Sequence, residues 1–336
     1  MAAINKITTI LTRRTKIINI SQKFNLKIKG HADIAFIDVD ERLDTKLFLD
    51  PYVIQALSDK FCSEARKCID TFFKELFCAC REQDNEKLRR LLKYASEPNE
   101  TNLGMKSLSD YGKGATAAVL TNLFLEFYKI VCKNPHIESN PLALCMYIKN
   151  FDKDKMSDLI TNIIRKPLYN FTVEQSAIWN MPLESNEVLI GAYWNYDSLD
   201  WHKLYGMPLS VGHNNILLVP KAIVRSRYVF NVECYIKQYI LKTVQQDHTD
   251  QNSDMCSTKE YADGRRVIVP PTIEDLYKHE VHGAIHKDYA FFSSSTNKFG
   301  EEKFVKDMLR RINDGYGSLT DAQLDEIVYK RHAQSA

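Results

Sequence analysis

The chain has 336 residues, 44% hydrophobic and 26% charged, the proportions of an ordinary globular protein with room for one large domain or two smaller ones. Its formal net charge of +2 excludes a whole-molecule field that recruits DNA or an acidic membrane. No run approaches the ~20 apolar residues of a membrane helix, and no stretch has the h-region of a secretory signal.

The charge is uneven along the chain. Residues 1–32 carry Lys6, Arg13, Arg14, Lys16, Lys23, Lys27 and Lys29, with no Asp or Glu before Asp33. Three readings fit this start. They are a hydroxyl-rich transit segment, a nucleic-acid-contacting arm, and a solvated first strand pair in which Ile17, Ile18, Ile20, Phe24, Leu26 and Ile28 partly alternate. The eight cysteines include no C-x-x-C pair and most sit among apolar residues, as small buried hydrophobes do. A reducing cytoplasmic setting is the expectation.

In chain order, Ile34 to Asp40 reads as a strand, and with Lys46 to Leu49 it predicts a hairpin. Asp50-Pro51 opens a helix, Asp as N-cap and Pro in the first turn. An apolar stripe from Val53 to Cys80 then repeats every three or four residues, which predicts one continuous helix of about eight turns. A second helix covers Asn85 to Ala95, and a third, with the face Val119 to Val131, follows a loop punctuated by Gly104, Gly112 and Gly114. Phe151 to Lys155 reads as a charged loop, and Ser157 or Asp158 as the cap of a helix to Tyr169. Strands are expected at Glu187–Trp194, Leu204–Leu209 and Asn215–Val224, and a helix at Val232–Val244. Gln245 to Arg266 reads as a flexible polar loop, and the remainder as helix, its last one capped at Thr320. The fold class is mixed α/β (α+β), helix-rich with a central antiparallel or mixed sheet. The division is 1–135, 136–245, the loop 246–266 and the helices 267–336, all compatible with one compact unit.

Four constellations can carry chemistry. Glu97, Glu100 and Gly104 precede Gly112, Lys113 and Gly114 at a helix start, where free N–H groups and a lysine suit a phosphate. The spacing is not that of a P-loop. Asp152, Asp154 and Asp158, interleaved with Lys153 and Lys155, suit Mg²⁺ or Mn²⁺ held against a phosphodiester, and equally suit a capped helix with a charged face. Asp38, Asp40, Asp44 and Lys46 resemble the acid–x–Lys pattern of restriction-type nucleases at shorter spacing. Alternation puts Asp38 and Asp40 on one strand face, which the simpler reading makes the wet one. His279, His282 and His286 share a face if they share a helix, and could then meet on zinc. Trp179, Trp194, Trp201, Tyr193, Tyr196 and Tyr205 make the middle aromatic, suited to core packing or to stacking on bases.

The stretches Leu47–Tyr52, Glu97–Gly104 with the later Gly-Lys-Gly, and Asp154–Leu159 together resemble uncharacterised bacterial proteins encoded near mobile elements and phage-defence genes. The resemblance implies a bacterial cytoplasmic setting and work on nucleic acid. It transfers no catalytic residue. Two functions are therefore expected. One is a metal-dependent nuclease or nuclease-like component, with Glu97, Glu100, Asp158 and Lys155 as catalytic candidates, Gly112, Lys113 and Gly114 on phosphate, and Asp152, Asp154 and Asp158 on the metal. The other is a non-catalytic sensor or adaptor subunit of a multi-protein assembly, with the 245–266 segment as an adjustable arm.

Overall fold

The computed structural model describes residues 19–40, 44–95, 98, 100–104, 120–122, 124, 125, 128, 144–149, 151–211, 214–228, 231–281, 286–296 and 298–330. Asp50 caps α2 (Pro51–Ala56) as its sequence suggests, its side chain accepting the Tyr52 N–H. The helix then stops. Leu57 is extended, and Asp59 caps a new helix, α3 (Lys60–Glu82), by accepting from the Cys62 N–H. The predicted continuous helix is thus two, because Asp59 supplies a second start just where the apolar stripe continues. A one-turn helix α1 (Ile20–Lys23) precedes them, and α4 (Asn85–Leu91) follows.

The central helices are α5 (Leu144–Tyr147), α6 (Lys153–Ile163) and α7 (Arg165–Ile178). Helix α6 begins with Asp152 as its N-cap, so the segment read as a charged loop is its first turn. Beyond them come α8 (Val232–Tyr235), a π-helical segment (Ile236–Ile240) and α9 (Leu241–Gln251) in one unbroken rod. The C-terminal part adds α10 (Ile273–Glu280), α11 (His286–Thr296), α12 (Lys298–Asn313) and α13 (Asp321–Tyr329), the last with the Thr320–Gln323 capping box that its sequence signals.

The class is α+β, but the described strands make four separate two-stranded antiparallel sheets rather than one central sheet. The strands are β1 (Phe48–Leu49), β2 (Val188–Asn195), β3 (Asp200–Gly206), β4 (Leu209–Val211), β5 (Asn214–Ile216), β6 (Val224–Arg225), β7 (Ser257–Glu260) and β8 (Arg266–Val269). The expected hairpin of 34–40 with 46–49 does not form. Strand β1 pairs instead with β6, and the 34–40 stretch threads between residues 19–20 and 219–221, with Ile20 N–H on Val39 O and Ile37 N–H on Val219 O.

Helix α3 buries Cys62, Ala65, Cys68, Ile69, Phe72, Phe73 and Leu76. Trp194 of β2 and Trp201 of β3 stand edge-on to Phe72, with ring centroids 5.2 and 5.7 Å away. Each indole N–H finds a partner, Thr71 Oγ1 for Trp194 and Leu91 O for Trp201. Two of the three tryptophans are therefore core or core-lining rather than stacking platforms. Among the described residues no helix is long and apolar enough to cross a membrane.

Candidate functional site

Three places collect functional groups. The first is the junction between the 100–104 loop and the start of α6. Thr45 N–H donates to Asn102 O and Gly104 N–H to Thr45 O, both at 2.9 Å, so the loop lies along residues 44–46. Gly104 has φ +118°, and a Cβ there would stand 3.3 Å from Asp154 Oδ1, so the loop backbone closes on the first turn of α6. The Leu49 N–H bonds Ser157 Oγ at 3.0 Å, and the buried Tyr228 hydroxyl donates to Leu49 O and Lys153 O. Burial pushes that hydroxyl well up, and the charges of Asp50, Asp158 and Asp154 add to the shift. Carboxylates from α6 and from the α2 cap thus act on one phenol.

Each candidate acid has a definite position. Glu100 Oε1 is 2.8 Å from Arg165 Nη1, and that guanidinium is held by Asn162 Oδ1, Ala192 O and Ile190 O. Arg165 fits because Gly191 leaves room: a Cβ there would lie 2.7 Å from its Cζ. Asp152 is exposed at the α6 cap, while Asp154, Lys155 and Asp158 are half-buried on the helix. Glu97, Gly112, Lys113 and Gly114 lie outside the described residues. Among the described residues no three His, Cys, Asp or Glu side chains form a group that could hold a metal ion.

The second place is a buried polar network. Asp38 and Asp40 are both buried, not on a wet strand face. Asp38 accepts from Ser21 N–H, Ser21 Oγ and, at 2.9 Å, the Tyr329 hydroxyl. His31, fully buried, takes the Asp38 N–H on Nε2 and meets Asp325 through Nδ1. Lys46 of the acid–x–Lys resemblance is exposed, whereas Asp38 and Asp40 are buried. Ser21 and Tyr329 also line an open hollow of about 540 Å³ rimmed by Lys27 and Lys29.

The third is the β7–β8 hairpin, in the segment read as a polar loop. Its register pairs Ser257 with Val269 and Glu260 with Arg266, and Tyr261 N–H closes the turn on Arg265 O. All eight strand residues are exposed, as are both faces of the ribbon. Tyr261, Val267, Ile268 and Val269 rank among the large apolar side chains open to solvent. On one face Lys259 and Arg265 lie over the Tyr261 ring at 5.2 and 5.6 Å. The missed signal was Asp263-Gly264 ahead of a β-branched run, a turn cue of hairpins, with Gly264 at φ +79°.

The three histidines do not share a helix: His279 is in α10, His286 begins α11 with its Nε2 2.7 Å from the Tyr277 hydroxyl, and His282 lies outside the described residues.

A family model described as "Domain of unknown function (DUF8370)" matches residues 25–231, well over half of the chain, and the chain belongs to that family. No curated protein and no solved structure matches the chain. The matched span contains the Glu100–Arg165 pair and the α6 junction; the hairpin and α13 lie beyond it.

Proposed function

We propose that this member of the DUF8370 family is a non-catalytic sensor or adaptor component of a multi-protein assembly, with the β7–β8 hairpin as its contact arm. The carrying observation is that the hairpin shows both faces and an apolar row, Val267 to Val269, to solvent. A lone two-stranded ribbon is marginal in water, and an open strand edge is a template for another strand. Contact through main-chain pairing, with side chains setting specificity, is the recognition mode such an element serves. Cytoplasmic placement, in a bacterial defence or mobile-element setting, rests on the sequence resemblance and on the cysteine usage.

The test is retention of companions by tagged full-length chain from its source cells. The chain should hold a further copy or a second protein in fixed proportion, and the Val267→Lys, Val269→Lys double variant should release it. A lone monomer, or a variant that keeps every companion, contradicts the reading.

A second reading, metal-dependent nuclease-like work on nucleic acid, is favoured by the closure of Gly104 on Asp154. Asp154 and Asp158, one helical turn apart on α6, would hold Mg²⁺ or Mn²⁺ as a carboxylate pair, with water and substrate phosphate completing the shell, and Lys155 would meet phosphate; Glu100 is engaged by Arg165. Divalent-metal-dependent cleavage of DNA or RNA, lost in folded Asp158→Ala, is the expected outcome. Equal cleavage by the variant, or none by the parent, counts against it.

A further inference from the structure

We infer that the hairpin pairs with a second copy of this chain, β8 against β8 in antiparallel sense about a two-fold axis at Ile268. This rests on the contact-arm reading and names its occupant. Strand β8 has β7 as its one ladder neighbour among the described residues, so its outer edge is open. The turn bond from Tyr261 N–H to Arg265 O fixes the alternation. Counting along the ladder, Lys259 and Val267 bond each other inside the ribbon, so Arg266 and Ile268 turn their N–H and C=O outward.

Those outward groups restrict the register. Pairing centred on Ile268 sets Val267 against Val269 of the other copy, so the three central positions are β-branched and apolar, with Arg266 facing Pro270 at each end. Centred on Val267 instead, the same edge sets Arg266 against Ile268. Pro270 and Pro271 follow β8 directly and end the edge, so the pairing is short and closes as a dimer.

Charge agrees with this sense of pairing. The hairpin tip carries Lys259, Arg265 and Arg266 together with Asp263 and Glu260, which pair with the two arginines and leave a net +1, and its foot is acidic, with Asp250, Asp254, Glu274 and Asp275 all exposed. Antiparallel pairing lays the Arg265–Arg266 end of each copy beside the residue 270–275 end of the other. Parallel pairing would set tip against tip. A seam of three paired strand residues buries less than the roughly 1,200 Å² of a standard stable interface, so the dimer is a weak one whose share grows with chain concentration.

The experiment is sedimentation velocity of the full chain across a concentration series, with Ile268→Lys and Ile268→Cys, and circular dichroism to confirm folding. The parent should shift from monomer to dimer, and Ile268→Lys should stay monomeric at every concentration, since an edge lysine blocks strand addition. Ile268→Cys should give a covalent dimer under mild oxidation that the parent does not, because a hydrogen-bonded antiparallel pair holds its Cα atoms about 5.5 Å apart, within disulfide reach. A parent that stays monomeric at the highest concentration, or an Ile268→Lys variant that still dimerises, overturns the inference. If the monomeric parent nevertheless holds a different protein through the hairpin, self-pairing falls and the contact-arm reading stands.

Discussion

His31 Nδ1 lies 2.7 Å from Asp325 Oδ1, a contact between residues 294 apart in sequence, and the same carboxylate oxygen accepts the His31 N–H at 2.9 Å. With Tyr329 on Asp38 and Lys221 on Asp321, this clips α13 to the 31–38 stretch. The clip joins a helix beyond the matched family span to residues within it.

Asp325→Ala removes the acceptor of two donors on a fully buried histidine. The expected cost is about 1–3 kcal/mol, read as a lowered Tm. Limited proteolysis should cut ahead of α13 sooner in the variant than in the parent.

The same contact responds to acid. Burial alone would raise the Asp325 carboxyl, but the His31 N–H, the His31 ring and Lys221 outweigh it and hold the group below its ordinary value. A carboxylate lowered in the folded chain contributes stability that is present above its unfolded pKa, about 3.9, and is lost as pH falls through the folded value. Protection of α13 in hydrogen exchange should therefore decline below about pH 4. Asp325→Asn should flatten that decline while leaving the neutral-pH fold in place.

Arg165 is buried, with Glu100 as its ion-pair partner. Glu100→Gln leaves a buried guanidinium without its counter-charge, at an expected cost of about 2–4 kcal/mol in denaturant unfolding, the lower end if water reaches the partly exposed carboxylate site. Gly191→Ala drives a methyl into the same guanidinium and forces φ +150° on a residue with a Cβ. About 1–3 kcal/mol is expected from the overpacking, because the arginine is tethered and cannot swing aside. A neutral result for both would show that Arg165 does not fasten the 100–104 loop to β2.

What the sequence revealed follows from interaction range. Asp50-Pro51 and the α3 stripe were readable because a cap and a 3.6-residue period are local properties. The break at Leu57 was not, since the stripe runs on across it, although Ser58-Asp59 carried the cap. The burial of Asp38 was beyond reach: its partners are Ser21, 17 residues upstream, and Tyr329, 291 downstream. Glu100 stood out with Glu97 as a pair of acids in a turn-rich stretch, but Arg165, whose position gives Glu100 its role, had no pattern to mark it. The hairpin was hidden by composition. Ser257 to Glu260 is polar because the ribbon is wet on both faces, and wet strands lack the alternation that announces a half-buried one.

The most direct measurement is amide hydrogen exchange of the full chain, alone and assembled with whatever it binds. Residues 257–269 should exchange quickly in the free monomer, where the ribbon has open edges, and become the most strongly protected new segment on assembly. An assembly that forms while 257–269 keep exchanging as before, with protection arising elsewhere, would contradict the hairpin as contact arm.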